Sequence, residues 1–469
     1  MSKDTARAAP TRAPAQAPAR APTRAPARAK VRMYRHGLGD CLLVRLPHAA
    51  APDGWFNVMI DCGLLLGTPD AAARMTEVVK DAATVTGGRL DLLAVTHEHW
   101  DHVSGFIQAR EAFKDFTEIR AVWAAWTEDE DDPQVQALKD GRKKALAALQ
   151  ASTTRLRAMG ADGAAEEVDG LLSFFGVGGG TGEPFAAAGG STQDAMRTAL
   201  KLSGKAPRYC DPTDPPFQPE GADWRIYVLG PPRDAVMLKK SNPSKRAPET
   251  YPLAEAAEGL VTALGHDDEA GRPFNRVWTI PQARAREIDF FKTRYYGPDE
   301  AWRNIDEDWL GTPGELALKL DSDTNNTSLV LAIELPPATE GGEPDVLLFA
   351  ADAQVGNWLS WQGLTWTVDG RQVTGPDLLK RTRLYKVGHH GSHNATLREK
   401  GLELMEGLEV AMIPVDKATA MKKKWTEMPR DSIIKRLDEM VPNAVLRSDE
   451  DAAEQPWLTR DRLYYEVTL

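Results

Sequence analysis

The chain has 469 residues, of which 42% are hydrophobic and 27% charged, and its formal net charge is −11. This is more chain than one ordinary compact core needs, so the composition implies a globular body of two domains or of one domain enlarged by insertions, and it excludes a peptide or mini-scaffold. No apolar run approaches the roughly 20 residues of a membrane-spanning helix. The three cysteines, Cys41, Cys62 and Cys210, make neither a disulfide framework nor a zinc-ribbon spacing, so a reducing, cytoplasmic setting without a membrane is expected.

Residues 1–30 carry five Arg and two Lys against the single acid Asp4, so the rest of the chain is more acidic than the total suggests. Pro10, Pro14, Pro18, Pro22 and Pro26 recur every fourth residue. They forbid a continuous helix and leave nothing to bury, so this basic Ala/Pro/Arg arm is expected to be disordered, with polyproline II character. It lacks the apolar centre of a secretory signal, and its prolines spoil the amphipathic helix of a transit peptide. Either it is a solvated tail or it touches nucleic acid or an acidic partner. The acidic body argues against a broad nucleic-acid-binding face.

From about Val31 onward the pattern is that of an α/β protein. Strands are expected at Cys41–Leu46, Trp55–Ile60 and Leu90–Thr96, with a helix at Ala71–Ala83 between the last two. A helical stretch follows at Gln134–Ala161, then a Gly-rich connector at Gly176–Gly190, which lacks the Gly-Lys-Ser/Thr ending of a phosphate-binding loop. Trp224–Leu229 reads as a strand, and a mostly polar segment runs from there to about Leu316. Strand-like runs return at Ser328–Leu335, Val346–Ala350, Leu384–Val387 and Val410–Pro414, with helices expected between His393 and Glu406 and at Arg430–Met440. Strands early and late with other material between them imply one discontinuous core. Its parts are about 31–126, 222–232 and 317–469, with insertions at about 127–221 and 233–316.

Potential metal ligands concentrate at two strand exits. His97, His99, Asp101 and His102 fall within six residues directly after an apolar run. A tight loop can turn His97 and His99 to one side and Asp101 and His102 to the other, which gives two neighbouring divalent ions an imidazole-and-carboxylate environment. The second cluster, Gly388-His389-His390-Gly391-Ser392-His393-Asn394, also leaves a strand. Together with Asp352, at the end of the strand Val346–Ala350 and placed to bridge, it supplies the remaining ligands of a binuclear site. Which of His389 and His390 binds is left open at this point.

These motifs, with the strand ending in Asp61-Cys62-Gly63 and in this chain order, resemble those of the metallo-β-lactamase-fold hydrolases. Gly37-Leu38-Gly39-Asp40, Asn325-Asn326-Thr327-Ser328-Leu329-Val330-Leu331 and His389-His390-Gly391-Ser392 are most similar to the metallohydrolase domain of bacterial competence DNA-uptake proteins and their soluble relatives. The resemblance implies a four-layer αβ/βα sandwich of two mixed sheets, here with two large insertions and the N-terminal arm. It implies His97 and His99 at a first metal, Asp101 and His102 at a second, Asp352 between them, and His389 or His390 completing the second. Asp61 resembles the acid that supports the ligand loop from behind. The family's further histidine is missing. The corresponding stretch reads Asp321-Ser322-Asp323-Thr324-Asn325-Asn326, so an oxygen ligand from Asp323, Asn325 or Asn326 is expected, with His266 as the alternative. Oxygen ligation would soften a preference for zinc and admit manganese.

The expected activity is hydrolysis by a metal-activated hydroxide, with Asp101 orienting it and His393 as general acid. Ser392 and Asn394 are candidate hydrogen-bond donors to substrate. A phosphodiesterase or nuclease-like enzyme is the first reading. Hydrolysis of a carboxylic ester, thioester, lactone or lactam is the second, and a metal-stabilised, non-catalytic binding protein the third. The partners expected are a phosphodiester or other small substrate, with nucleic acid reached through the basic arm.

Overall fold

Alternation of apolar side chains along short strands decides the architecture. In the computed structural model, residues 28–158, 160–177, 191–241, 280, 282–297, 312–392, 394–423, 425 and 428–469 are described. The basic arm up to residue 27, most of the Gly-rich connector, most of the second insertion, His266 and His393 lie outside these residues. In chain order the core elements are β1 (Lys30–Tyr34), β2 (Leu42–Pro47), β3 (Trp55–Ile60), α1 (Ala71–Val85), β4 (Leu92–Val95), α2 (Trp100–Val103) and β5 (Val122–Ala125). Next come α3 (Pro133–Ala158), α4 (Asp162–Leu172), α5 (Thr192–Leu200), β6 (Arg208–Cys210), β7 (Arg225–Gly230), α6 (Thr312–Asn325), β8 (Val330–Leu335) and β9 (Asp345–Phe349). The chain continues through α7 (Gly375–Lys380), β10 (Thr382–Lys386), β11 (Val410–Ile413), α8 (Asp431–Met440), β12 (Val445–Arg447), β13 (Leu458–Arg460) and β14 (Tyr464–Thr468).

The strands form an eight-stranded sheet, order β13-β14-β1-β2-β3-β4-β5-β6, and a six-stranded sheet, order β12-β11-β10-β9-β8-β7. Each sheet has an antiparallel part and a parallel part, the latter running β3-β4-β5-β6 in the first and β9-β10-β11-β12 in the second. Three apolar clusters separate the layers. Leu42, Val44, Val58 and Ile60 point inward to meet Leu331, Ile333, Leu347 and Met412 between the sheets. On the opposite face Leu43, Met59, Leu93 and Val95 point outward onto Met75, Val78 and Val79 of α1 and Met196 of α5. Val330, Ala332, Leu348 and Tyr385 face Leu316 and Leu320 of α6, Leu378 of α7 and Leu437 of α8, together with Leu149 of α3 and Leu172 of α4. Each fully buried side chain of this size stabilises by roughly 1.5–3 kcal/mol. A one-residue slip would exchange the faces of a strand, so the alternation also sets register. The result is the four-layer αβ/βα arrangement of the metallo-β-lactamase fold.

Several expectations shift. β6 lies inside the first inserted stretch yet forms an edge of the eight-stranded sheet, and α3 and α4 join the outer layer of the second. The helix expected between His393 and Glu406 does not form among the described residues, which hold turns and one 3₁₀ turn at Leu402–Leu404. The Trp358 indole donates to the Ala395 carbonyl at 3.0 Å, and Gly388 packs against Ala395, so the chain there is tied to the site rather than free to coil. No helix among the described residues is long and apolar enough to cross a membrane.

Three loops interlock at the edge where the parallel strands end. Asp40 N donates to the Asp101 carbonyl at 2.9 Å, Gly63 N to the Asp40 carbonyl at 3.0 Å, and Cys62 N to the His102 carbonyl at 2.9 Å. A Cβ on Gly63 would collide with the backbone of Asp101 and His102, which no side-chain rotation relieves. Gly63→Ala should therefore cost about 1–3 kcal/mol, as overpacking does, and weaken any ligand bound by the His97–His102 loop. Urea titration checks the first effect; an unchanged midpoint would show that these loops are not packed as described.

Candidate metal centre

Ligands of α/β proteins collect beyond the carboxyl ends of parallel strands, and both sheets present theirs at one edge. β3 delivers Asp61, β4 delivers Thr96 to His102, β9 delivers Asp352, and β10 delivers His389 and His390. Leu329 N donates to the Thr96 carbonyl at 2.9 Å and ties the two edges together here.

One group of four comes together at a point: single ligand atoms of Asp101, His102, Asp352 and His390 lie within 4.8 Å of one another. His390 Nε2 is 2.9 Å from Asp101 Oδ2, and His102 Nε2 is 3.1 Å from Asp352 Oδ2. The remaining nitrogens are turned away and held. His102 Nδ1 meets Asp61 Oδ2 at 2.8 Å, and His390 Nδ1 meets the Pro414 carbonyl at 2.6 Å. Asp61 also accepts from Thr96 N at 2.8 Å and from the Thr96 hydroxyl at 2.7 Å, so it grips both the loop and its imidazole from behind.

Beside this group His97 Nε2 and His99 Nδ1 face each other at 3.1 Å. Two nitrogens bound to one tetrahedral ion at about 2.0–2.1 Å stand about 3.3–3.4 Å apart, so the spacing suits a shared ion. His97 Nδ1 is engaged by the Thr96 and Ser328 hydroxyls at 3.0 and 3.3 Å. His99 Nε2 points toward Asp321 Oδ1, 3.9 Å away. His389 stands on this side too, its Nε2 3.4 Å from Asn325 Nδ2.

The expected oxygen ligands separate. Asn325 is at the centre, its amide donating to Asp321 Oδ2 at 3.1 Å. Asp323 is not, because it pairs with Lys319 at 2.5 Å, and Asn326 is spent on the backbone, its amide donating to the Lys240 carbonyl and its oxygen accepting from Gln354 N. Asp321 was missed. Its signal was its place four residues before Asn325, one turn earlier on the same face of α6. Lys386 and Asp40 were also unassigned; the ammonium lies 2.5 Å from Asp40 Oδ2 and 3.4 Å from Asp352 Oδ1.

Burial and charge divide these groups. Burial holds His97, His99 and His389 below the usual histidine range, His99 at about 3 and His389 at about 4, so all three are neutral and offer lone pairs. Burial also pulls on His102, but Asp352, Asp101, Asp40 and Asp61 outweigh it and raise this group well above that range. Asp321 rises well above the carboxylate range through burial and the nearby charges of Asp101 and Asp352. Asp352, despite its burial, falls well below it because His102, Lys386 and His390 surround it.

His99 Nε2, Asp101 Oδ1, His102 Nε2, Asp321 Oδ1, Asn325 Oδ1, Asp352 Oδ2 and His389 Nδ1 are all buried without a hydrogen-bond partner. Buried polar atoms are rarely left so, and Asp101, His102 and Asp352 belong to the group that meets at one point. Neutral imidazoles, carboxylates and an amide oxygen are the donor set of first-row and harder divalent ions, so the residues present fit a metal centre. The inserted segment covers one side of it. Phe175 and Phe174 pack on the His99 ring at 4.7 and 5.7 Å between centroids, and Phe174 stacks on Trp425 at 4.6 Å. Glu98, between the two histidines, accepts from Arg142 of α3 at 3.0 Å and from Thr192 of α5 at 3.2 Å.

Comparison with known families agrees with this geometry. Residues 36–200 match the family described as the metallo-beta-lactamase superfamily. The matched segment holds Asp40, Asp61 and the whole His97–His102 loop. No curated protein and no solved structure gives a match to the chain. The family and the buried Asp/His cluster together support a metal-dependent hydrolase.

Asp61→Asn tests the support behind the loop. The amide cannot accept from Thr96 and His102 as the carboxylate does, so metal affinity should fall about 10- to 100-fold, the usual effect of losing such a partner. Competition against a chromophoric chelator reads it, with circular dichroism to confirm folding; wild-type affinity would mean that Asp61 does not orient the loop.

Proposed function

We propose that the protein is a binuclear metal-dependent phosphodiesterase. The observation that carries the reading is the meeting of Asp101, His102, Asp352 and His390 at one buried point beside the paired nitrogens of His97 and His99. In this reading His97 and His99 hold a first ion, Asp101, His102 and His390 a second, and Asp352 stands between them. When bound, the two ions supply Lewis-acid neutralisation of developing charge and activate water near neutral pH.

The chain's own groups do the rest. Asp101 orients the attacking water, while Asp61 and the Pro414 carbonyl keep His102 and His390 from turning. Ser392 and Asn394, both buried beside the second cluster, donate hydrogen bonds to substrate oxygens. His393 keeps its proposed role as general acid from its place in the chain. A phosphodiester is favoured for two reasons. The motifs resemble those of the competence metallohydrolases, and a donor set rich in oxygen, with Asp101, Asp352, Asp321 and Asn325, suits harder ions such as manganese as well as zinc. The second reading, a carboxylic ester or lactam hydrolase, draws on the aromatic wall of Phe174, Phe175 and Trp425 beside His99, which would receive an apolar group.

Hydrolysis of a chromogenic bis-aryl phosphate, compared with a chromogenic lactam and ester in the presence of manganese or zinc, separates these. The phosphate should turn over, stop on chelation and resume when metal is restored. Asp101→Asn should lower its turnover at least about 100-fold, a barrier increase of roughly 2.7 kcal/mol. Turnover of lactam or ester alone would replace the first reading by the second, and undiminished activity in Asp101→Asn would place the chemistry elsewhere.

A further inference from the structure

Lys386 is 1% exposed, at the base of the cluster. An ammonium has three donors and no acceptor, and here all three find partners: Asp40 Oδ2 at 2.5 Å, the Ala351 carbonyl at 3.0 Å and Asp352 Oδ1 at 3.4 Å. Burying such a charge is costly, and apolar residues of similar volume often serve stability as well or better. Stability alone therefore does not explain its presence. Its partners are informative. Ala351 has φ +48°, a left-handed conformation that strains a residue with a Cβ, and its carbonyl also accepts from His389 N at 3.1 Å. The turn that presents Asp352 is thus held from two sides. Asp352 itself is divided: Oδ1 is on the ammonium, whereas Oδ2 has no hydrogen bond and lies 3.1 Å from His102 Nε2 and 3.8 Å from His390 Nε2. Asp40 completes the arrangement, since its own backbone is bonded to Asp101 and Gly63.

We infer that Lys386 is a positioning residue of the metal centre: anchored on Asp40, its ammonium captures one oxygen of Asp352 and leaves the other as the single donor presented between the two groups of ligands. The inference rests on the metal-centre reading above. Asp40 cancels the charge of Lys386, so the pair orders Asp352 without making the pocket more repulsive to a cation. A guanidinium, planar and forked, would not fit three acceptors arranged round one nitrogen.

The test uses the full chain with Asp40→Asn and Lys386→Met combined, which removes both charges and strands neither. Loaded with manganese, the wild type should bind two ions and show the electron paramagnetic resonance of a spin-coupled pair. The double variant, folded by circular dichroism, should bind manganese about 10- to 100-fold more weakly and show the uncoupled signal. Wild-type affinity and coupling in the folded variant would overturn the inference. A wild type that binds no ion would instead overturn the metal-centre reading. If the variant does not fold, a crystal structure of the manganese-loaded wild type decides: Oδ1 on Lys386 with Oδ2 alone at the ions supports the role, and both oxygens at the ions overturns it.

Discussion

Five carboxylates, those of Asp40, Asp61, Asp101, Asp321 and Asp352, are buried with five imidazoles, His97, His99, His102, His389 and His390, at one edge of the two sheets. Charge of one sign cannot be kept out of water at this density unless something opposes it. Lys386 opposes Asp40 and part of Asp352, and the carboxylates round His102 favour a positive charge at its place. Among the described residues Asp321 has no side chain of opposite charge within ion-pair distance other than the His99 ring, and burial with the nearby charges of Asp101 and Asp352 raises it well above the carboxylate range. The cluster is therefore built for a divalent cation, and the packing around it follows from the need to hold these groups together against their repulsion.

That need is visible in the backbone. Among the described residues, seven other than glycine have positive φ, and four of them, Asp61, Ala351, His389 and His390, lie at the centre. Such conformations cost of order 1–3 kcal/mol each and persist where the surroundings over-determine them. Here the surroundings are hydrogen bonds between loops: His389 to Ala351, Asp61 to Ala94, Asp40 to Asp101 and Cys62 to His102. Two sheets packed through one apolar layer supply the rigid edges from which these loops hang. Stability gained by the sheets is spent on strain at their common edge.

How much of this was legible depended on range. The sandwich could be read because its strands are short apolar runs, such as Trp55–Ile60, closed by polar corners, and because β1 to β4 and β8 to β11 come in chain order on either side of the inserted material. The ligand clusters could be read because His97 to His102 and His389 to His390 are dense in donors over a few residues. What escaped depended on contacts across the fold. Nothing local distinguishes Lys386 from a surface lysine at a strand end. Asp323 is taken by Lys319 one turn earlier in the same helix, but only the packing of α6 turns Asp321 toward His99. The helix expected after His393 failed for the same reason, since its residues are claimed by Trp358 and Gly388. The inserted Phe174 and Phe175 carried no motif, and only the fold brings them onto His99.

The claim on which all of this turns is that the cluster holds two divalent ions. Elemental analysis of protein purified without chelator, equilibrated with zinc or manganese and freed of excess ion, tests it most directly. Close to two ions per folded chain is the predicted result. A folded chain that retains no ion after both treatments would contradict the metal centre itself.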